Sequence, residues 1–344
     1  MVLSDRQLKI LQAIINDYIA TAEPIGSRTI AKKYDIGLSS ATIRNEMSDL
    51  EDMGLIIQPH ASAGRVPSDK GYRLYVDNLM NRKELTPEQA GFLFNLIQEN
   101  FEDIESLMQE TAKAISLITN YTTMVSEPRV LRMVIKHIQL MPYDESSIAV
   151  VLVTESKVIK NYVIKMKNPP DTDSLSNISL LLNKFVVGKD FADIDLGLLK
   201  LELAKMVGEG QPIISLIDTI WEMALEESTV DVYTSGVKNI LTFPEFSDFN
   251  KAKSVFQALE EKDILITILG KGRTEELKIV IGEENSIDQI KDCSLIKAGY
   301  KIGNGLYGTI GILGPTRMNY SQVVSVLYEI EKNLNYTLRA LRGG

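Results

Sequence analysis

The sequence predicts an α+β protein that begins with a winged helix-turn-helix and continues into a second α+β domain with a mainly helical insertion. Three observations lead to this prediction. Between positions 1 and 80, three helical segments are followed by a short hairpin pattern. Beyond them, strand-like segments fall into two groups. A Leu- and Ile-rich helical block from about 173 to 228 separates the groups, as expected for a domain with an insertion.

The start of the chain, up to Tyr34, predicts two helices. Apolar residues recur at three- and four-residue spacing between positions 8 and 19, which makes this segment an amphipathic helix. Pro24 and Gly26 then break the chain, and a second short helix follows through Ile30 and Tyr34.

A third helix follows a glycine-containing turn. Gly37 tolerates the positive φ that such a turn needs, and the hydroxyl of Ser39 or Ser40 can cap the helix by accepting from its free N–H groups. Gly54 ends the helix, and one apolar stripe faces the interior: Ile43, Met47 and Leu50. Two helices joined by a tight turn predict a helix-turn-helix.

The polar residues off this stripe face outward and suit the edges of DNA bases. Arg pairs bidentately with guanine, Asn pairs with adenine, and Ser or Thr bonds either bases or phosphate. We expect Arg44 and Asn45 to read bases, because recognition helices make base contacts near their N-terminal end. The alternative is an ordinary exposed face of a small helical subdomain. The candidates on this helix are Ser39, Ser40, Thr42, Arg44, Asn45 and Ser48.

A short hairpin follows, in the position of a wing. Residues 55–57 and 65–66 predict its two strands, and we expect Pro67 to stop the pairing because it has no N–H to donate. Arg65 can reach a minor groove or its phosphates, or it can be an ordinary solvated charge. His60 either bonds a phosphate or packs within the hairpin, and we favour packing.

Other basic residues of this domain are candidates for phosphate contacts. We expect Arg28, Lys70 and Arg73 to approach the DNA backbone. Lys32 and Lys33 are further candidates. Each of these basic side chains has the alternative of being a plain surface charge.

The rest of the chain predicts strands and helices in turn. Ser68 is expected to cap a fourth helix, and residues 81–87 predict a linker. The predicted strands are 130–141, 147–154 (apolar throughout and therefore central), 157–166, 277–281, 293–302 and 306–313, with strand-like sequence also at 230–243. The other predicted helices are 104–118, 248–270 and a C-terminal helix from about 323 to 338.

Composition and charge narrow the class of protein. The formal charge is −9, and the segment 1–80 holds nine Lys or Arg against ten Asp or Glu, so DNA binding has to use a local basic surface. The single cysteine excludes an intrachain disulfide and fits a reducing compartment. The sequence has no signal-peptide core and no stretch of about 18 apolar residues. We expect a cytoplasmic protein without membrane contact.

The sequence offers few candidate catalytic residues. The two histidines, His60 and His137, lie in different predicted domains, so a His-based triad or zinc site lacks parts. Residues 303–308 match the dinucleotide fingerprint G-x-G-x-x-G, but that fingerprint needs a helix after it, and residues 309–313 predict a strand. We expect no enzyme, no metal and no cofactor.

Two groups of motifs resemble the HrcA family of heat-inducible transcription repressors, over essentially the full chain. The family pattern often has Thr where this chain has Ala61 and Ser68, and Ser68 keeps a capping hydroxyl. The first group is 39–47 (SSATIRNEM), 60–67 (HASAGRVP) and 71–76 (GYRLYV). The second is 244–246 (PEF), 281–285 (IGEEN), 293–295 (CSL) and 314–320 (GPTRMNY).

The resemblance implies a winged helix, a GAF-like domain and a dimerising domain inserted within it. On this chain we expect the winged helix-turn-helix at 1–80, the GAF-like domain at 88–168 and 236–344, and the inserted, mainly helical dimerisation domain at 169–235. It also implies a homodimer that represses chaperone operons by binding double-stranded DNA at an inverted-repeat operator, the CIRCE element. The GroEL chaperonin is expected to help the repressor reach its active state, and heat to relieve repression.

Two other functions remain open at this stage. The first is a ligand-sensing regulator whose GAF-like domain binds a metabolite, with DNA binding secondary. The second is a chaperonin client or scaffold. A thermal-shift screen identifies the first, because a ligand that binds only the native state raises its melting temperature.

Overall fold

The computed structural model describes residues 3–81, 84–98, 103–130, 134–155, 159–207, 211–226, 231–270, 277–302 and 306–342. The chain divides into two compact units. Unit 1 spans 1–127, 232–300 and 308–344, and unit 2 spans 128–231 and 301–307. Unit 2 therefore interrupts the sequence of unit 1 twice.

Both units combine helices with strands. The helices are α1 (Asp5–Thr21), α2 (Ser27–Lys33), α3 (Ser40–Asp52), α4 (Asp69–Leu74), α5 (Pro87–Gln98), α6 (Ile104–Thr119), α7 (Thr172–Val186), α8 (Leu196–Val207), α9 (Gln211–Glu226), α10 (Phe249–Glu260), α11 (Lys262–Leu269) and α12 (Tyr320–Arg342). The strands are β1 (Ile56–Ile57), β2 (Val66–Pro67), β3 (Thr122–Ser126), β4 (Arg129–Val130), β5 (Ile135–Asp144), β6 (Ser147–Thr154), β7 (Ile159–Lys165), β8 (Val232–Ser235), β9 (Lys278–Ile281), β10 (Cys293–Ile302) and β11 (Leu306–Pro315).

The N-terminal part of unit 1 is the predicted winged helix-turn-helix. Ser4 caps α1 through a capping box with Gln7, and Ala22 ends the helix in the left-handed conformation. Gly37 has a φ of 69° in the turn between α2 and α3, which confirms the role predicted for it. The apolar sides of α1, α2 and α3 meet in one core, and α4 continues as one turn of π-helix at Tyr75–Leu79.

The wing hairpin differs from the prediction at its proline. Strands β1 and β2 are antiparallel, with Ile56 opposite Pro67. The expectation that Pro67 stops the pairing was wrong. Proline has no N–H, but the next residue supplies one, because the backbone N–H of Ser68 donates to the carbonyl of Leu55 at 3.1 Å. The Ser68 side chain then caps α4, as predicted.

The rest of unit 1, which we call the body, is built on a sheet with strand order β8-β3-β11-β10-β9. One face packs against α10 and α11 through three buried side chains: Met124, Leu295 and Leu313. Because side chains alternate along a strand, neighbouring positions face the other way. There the Ser294 hydroxyl bonds to Tyr320 of α12, and the Tyr300 hydroxyl bonds to the sulfur of Met108 of α6.

Unit 2 contains a three-stranded antiparallel sheet in the order β5-β6-β7. Helices α7 and α9 pack against it, and buried side chains from both layers form one core. Trp221, the only tryptophan, stacks on Phe191 with ring centroids 4.6 Å apart. The strand predicted to be central, 147–154, is β6 in the middle of this sheet.

The two compact units divide the chain at other positions than the predicted domains. The sequence places strands β5, β6 and β7 in the GAF-like segment 88–168, whereas they share a core with helices of unit 2. Alternation within a strand predicts that one face is buried, but it does not reveal which helices cover that face. The three predicted domain ranges themselves remain a prediction.

The described residues bear on three features that the sequence did not favour: a dinucleotide fingerprint, a membrane span and a metal site. Residues 303–305 of the G-x-G-x-x-G match lie outside the described part of the chain, and the residues that follow form strand β11, as predicted. No helix in the described ranges has both the length and the apolar composition needed to cross a membrane. Over the same ranges, no cluster of three His, Cys, Asp or Glu side chains could hold a metal ion.

Replacement of Gly308 by Ala should destabilise the body. A Cβ at this position would lie 2.2 Å from Cζ of the buried Tyr300 ring, so the ring would have to leave its site between β10 and α6. We expect the free energy of unfolding, measured by urea denaturation, to fall by about 1–3 kcal/mol. Gly91→Ala is the control: its Cβ meets no atom within 4 Å in α5, so stability should rise by about 0.5–1 kcal/mol. Equal stability of Gly308→Ala and wild type would contradict this packing.

Candidate nucleic-acid interface

Helix α3 is fixed in orientation by its buried side. Ile43 and Leu50 are fully buried and Met47 is nearly so, and the helix packs on both α1 and α2. A helix with one buried stripe presents its remaining residues to solvent. The predicted stripe is therefore confirmed, and the polar face of α3 points away from the core of the domain.

The N-terminal end of α3 offers backbone donors and two hydroxyls. Ser39 caps the helix: its Oγ accepts from the backbone N–H of Thr42 at 3.1 Å and lies 2.9 Å from Thr42 Oγ1. Ser39 is exposed, whereas Ser40 and Thr42 are partly exposed. The free N–H groups and the helix dipole favour a phosphate at such an end.

The next turn of α3 carries the two candidate base readers. Arg44, Asn45 and Ser48 are all exposed. Among the residues that the structure describes, Arg44 and Asn45 have no hydrogen-bond or ion-pair partner. Their side chains are thus available for a ligand. In a major groove the Arg44 guanidinium can donate to O6 and N7 of guanine, and the Asn45 amide can donate to N7 and accept from the N6 amino group of adenine.

Arg65 is held by the fold and does not extend from the wing. Its Nε donates to Glu51 Oε2 of α3 at 2.8 Å, and its Nη2 lies 2.7 Å from the same oxygen. Its backbone bonds to Ile25 in both directions, at 2.8 and 3.0 Å. Arg65 therefore joins the wing to α3 and to the segment before α2. In this arrangement its guanidinium is engaged with a carboxylate.

The tip of the wing is organised by a residue that the sequence interpretation did not single out. The Gln58 side-chain amide donates to the carbonyls of Ala61 and Ala63, at 3.0 and 3.1 Å. The side chain of His60, favoured to pack within the hairpin, is exposed instead. Gly64 is required where the chain passes Ile25, because a Cβ would lie 2.4 Å from the Ile25 carbonyl oxygen.

The remaining basic candidates differ in their surroundings. Arg28 is exposed on α2. Lys70 is exposed, and its Nζ donates to the carbonyl of Met53 at 2.8 Å, where it neutralises the C-terminal end of α3. Lys33 forms an ion pair with the buried Asp17, whose hydrogen bond raises the pKa of Lys33. Arg73 contacts the body instead of the α3 face, through Glu284.

Glu51→Gln distinguishes a positioning role of Arg65 from DNA contact. If Glu51 holds Arg65 and the wing against α3, its neutralisation should weaken operator binding by about 1 kcal/mol. If Arg65 binds DNA, the same change frees its guanidinium and removes a repelling charge, so binding should strengthen. Fluorescence anisotropy on an operator duplex measures the difference. Asp52→Asn, which removes an exposed charge from the same turn, is the matched control and should not weaken binding.

Comparison with known proteins gives one family over nearly the full chain. A family model described as winged helix-turn-helix transcription repressor, HrcA DNA-binding, matches residues 2–79, and one described as HrcA protein C terminal domain matches 105–324. The heat-inducible transcription repressor HrcA of Lachnoclostridium phytofermentans is 42% identical over 335 residues, or 96% of each chain. That of Clostridium botulinum (strain Eklund 17B / Type B) is 41% identical over 340 residues, or 98% of each chain. Both names describe a non-enzymatic role.

One solved structure shares the fold. It is a crystal structure at 2.2 Å resolution described as that of a hypothetical protein. The two chains are 23% identical and superpose with a TM-score of 0.61 over 98% of this chain and 99% of the other.

Proposed function

Because this chain belongs to the HrcA family of heat-inducible transcription repressors, we propose that it represses chaperone operons as a dimer on the inverted-repeat CIRCE operator. The observation that carries this proposal is the exposed polar face of α3, with Arg44 and Asn45 free of protein partners among the described residues. In the proposed complex these two side chains read bases, while Ser39, Ser40, Thr42 and Ser48 bond to bases or phosphates. Arg28 and Lys70 contact phosphates beside the site.

A dimer follows from the symmetry of an inverted repeat. Each chain supplies one winged helix, and two chains on a two-fold axis place two α3 helices on two half-sites. We assign dimerisation to residues 169–235. Large apolar side chains on the surface of this segment support self-association: Leu180, Leu198 and Leu201 are 70%, 56% and 56% exposed. We assign residues 88–168 and 236–344 as the GAF-like domain, on the strength of the family motifs between 244 and 320.

The proposed repressor works in the cytoplasm, where it meets its operons, and the GroEL chaperonin modulates it. Chaperonin helps newly made or heat-damaged repressor reach its active state. When unfolded proteins occupy the chaperonin, less active repressor remains and the operons are transcribed. Addition of GroEL and ATP to a heat-treated sample should then restore operator binding, measured as recovered anisotropy. No recovery beyond that of a sample without chaperonin would contradict this part of the proposal.

Arg44→Ala tests the base-reading role. Loss of a bidentate contact should weaken binding to the operator by about 1–3 kcal/mol and relax specificity at one base pair of each half-site. Binding to a scrambled duplex should change little. Arg28→Ala is the comparison, because a phosphate contact weakens both duplexes alike and lowers the salt slope by about 1. Equal weakening of both duplexes by Arg44→Ala would leave Arg44 as a phosphate contact only.

Heat should act on the assembly before it melts the winged helix. On warming, we expect operator affinity to fall together with the loss of dimer or of packing between the winged helix and the body. The circular dichroism signal of the helices in the winged helix should persist to a higher temperature. Sedimentation velocity, anisotropy and circular dichroism over one temperature series measure the three events. Operator affinity that survived above the temperature of dimer dissociation would contradict this order.

A further inference from the structure

The second group of family motifs lies in the body, where DNA binding does not explain it. These motifs are 244–246, 281–285, 293–295 and 314–320. In the structure they come together against the winged helix-turn-helix. Two sets of contacts join them to it, one at α4 and one at α1.

The contact at α4 is centred on Arg73. Its Nε donates to Glu284 Oε1 at 2.9 Å, while its Nη2 pairs with Glu284 Oε2 and donates to the carbonyl of Ile279 at 2.6 Å. Glu284 is itself held in place, because its Oε2 accepts from the backbone N–H of Ile281 at 2.9 Å. The hydrogen bonds from Arg73 lower the pKa of Glu284 below its usual value. A bidentate pair of this kind fixes direction as well as distance.

A neighbouring contact needs a glycine. The carboxylate of Asp69, in the first turn of α4, accepts from the backbone N–H of Glu283 at 3.1 Å. Gly282 has a φ of 54°, and a Cβ there would lie 1.8 Å from Asp69 Oδ2. Only glycine combines this backbone conformation with so close an approach.

The contact at α1 is centred on Arg317. Its guanidinium pairs with Glu245, and its Nη1 donates to the carbonyl of Ile19 in α1 at 3.2 Å. The same guanidinium lies 5.5 Å from the centroid of the Phe243 ring, and the Arg317 side chain is only 12% exposed. A largely enclosed guanidinium with these partners has one well-defined position.

Aromatic rings fill the space between the two charged contacts. Tyr72 of α4 and Tyr320 of α12 are both buried, with ring centroids 5.9 Å apart. The Tyr320 hydroxyl is fixed by Ser294 and by the carbonyl of Thr316. The winged helix is thus held at two helices and along the surface between them, so separate contacts oppose its rotation on the body.

We infer that Asp69, Arg73, Glu245, Glu284 and Arg317, which we call the clasp, set the orientation of the winged helix and thereby determine which half-site spacing the dimer accepts. This inference rests on the proposed dimer. Helix α3 packs directly on α1, so an orientation imposed on α1 and α4 is passed to the DNA-reading face. A dimer whose two reading helices are held rigidly fits one separation of half-sites, whereas loosely held helices adapt to several.

The double substitution Glu245→Gln and Glu284→Gln tests the clasp in the full-length protein. Binding is measured by anisotropy on duplexes that keep the same two operator arms and differ in the spacer by one to about five base pairs, which is half a helical turn. Wild type should prefer one spacer by at least about tenfold, and the variant should bind neighbouring spacers with nearly equal affinity. Affinity for a duplex with a single arm should be unchanged, because neither acid lies on the reading face.

Two further variants make the test specific. Asp288→Asn with Asp292→Asn removes the same amount of charge from two exposed acids near the clasp. These acids pair with Lys291 and Lys251 of the body and not with the winged helix. The spacer preference should therefore persist in this variant. Gly282→Ala displaces Asp69 without changing any charge and should broaden the preference as the double variant does.

The other outcomes reject either the proposed dimer or the orienting role of the clasp. Wild type that binds every two-armed duplex no more tightly than the single-arm duplex would reject the proposed dimeric operator complex. Wild type that binds all two-armed duplexes equally, but more tightly than the single arm, would reject the orienting role of the clasp. A clear wild-type preference that the double variant and Gly282→Ala both retain would reject the orienting role of the clasp. A loss of single-arm affinity in the variants would also reject it, because the acids would then support the winged helix itself and not its orientation.

Discussion

The burial of Ile43, Met47 and Leu50 is the constraint on which the DNA-reading surface depends. These three side chains leave α3 only one way to pack on α1 and α2, and every polar residue between them is turned outward as a consequence. The cap at Ser39 sets where the helix begins. The ion pair between Arg65 and Glu51 then sets where the wing lies relative to α3. Recognition chemistry on α3 is thus a consequence of apolar packing on its other side.

The net negative charge of the chain is compatible with DNA binding because several acidic side chains form ion pairs within the protein. Asp17, Glu51 and Glu284 pair with Lys33, Arg65 and Arg73. These carboxylates hold elements together, and they also remove basic side chains from the set that can meet phosphates. The cations proposed to meet DNA, Arg28, Arg44 and Lys70, lie on α2, α3 and α4 of the winged helix-turn-helix, so the electrostatic attraction is local. A net charge of −9 therefore says little about the sign of the field at the reading face.

The DNA-reading face could be predicted because it depends on residues that are close together in sequence. Contacts between residues that are far apart in sequence could not be predicted. The stripe, the cap at Ser39 and the turn at Gly37 follow from spacing inside one short segment of the chain. Arg73 was a candidate for a phosphate contact, with a plain surface charge as the alternative, and the acids close to it in sequence, such as Asp77, do not indicate a bidentate partner. Its main partner, Glu284, is far away along the chain and belongs to the body. The ion pair of Arg65 was not predicted for a related reason, since its partner Glu51 lies on α3, outside the hairpin. Contact of Arg65 with DNA stays a prediction.

Contacts between distant segments also could not be predicted for the second group of motifs. Their residues identified the family, but no local pattern showed that Glu245, Glu284 and Arg317 meet the winged helix. Likewise, strand alternation located β5 to β7 without revealing that these strands pack with α7 and α9. Contacts between distant segments decide how the reading face is oriented, and such contacts are visible only in the folded chain.

Specific binding of the repressor to an inverted repeat is tested by comparing three duplexes in anisotropy titrations over a series of salt concentrations. The duplexes carry the intact inverted repeat, one scrambled arm, or two scrambled arms, and each is titrated with and without GroEL and ATP. We expect a preference of about 10³ or more for the intact repeat over the fully scrambled duplex, intermediate affinity for a single arm, and affinities that fall steeply with salt. Equal affinity for all three duplexes, with chaperonin as well as without it, would contradict sequence-specific binding to the operator.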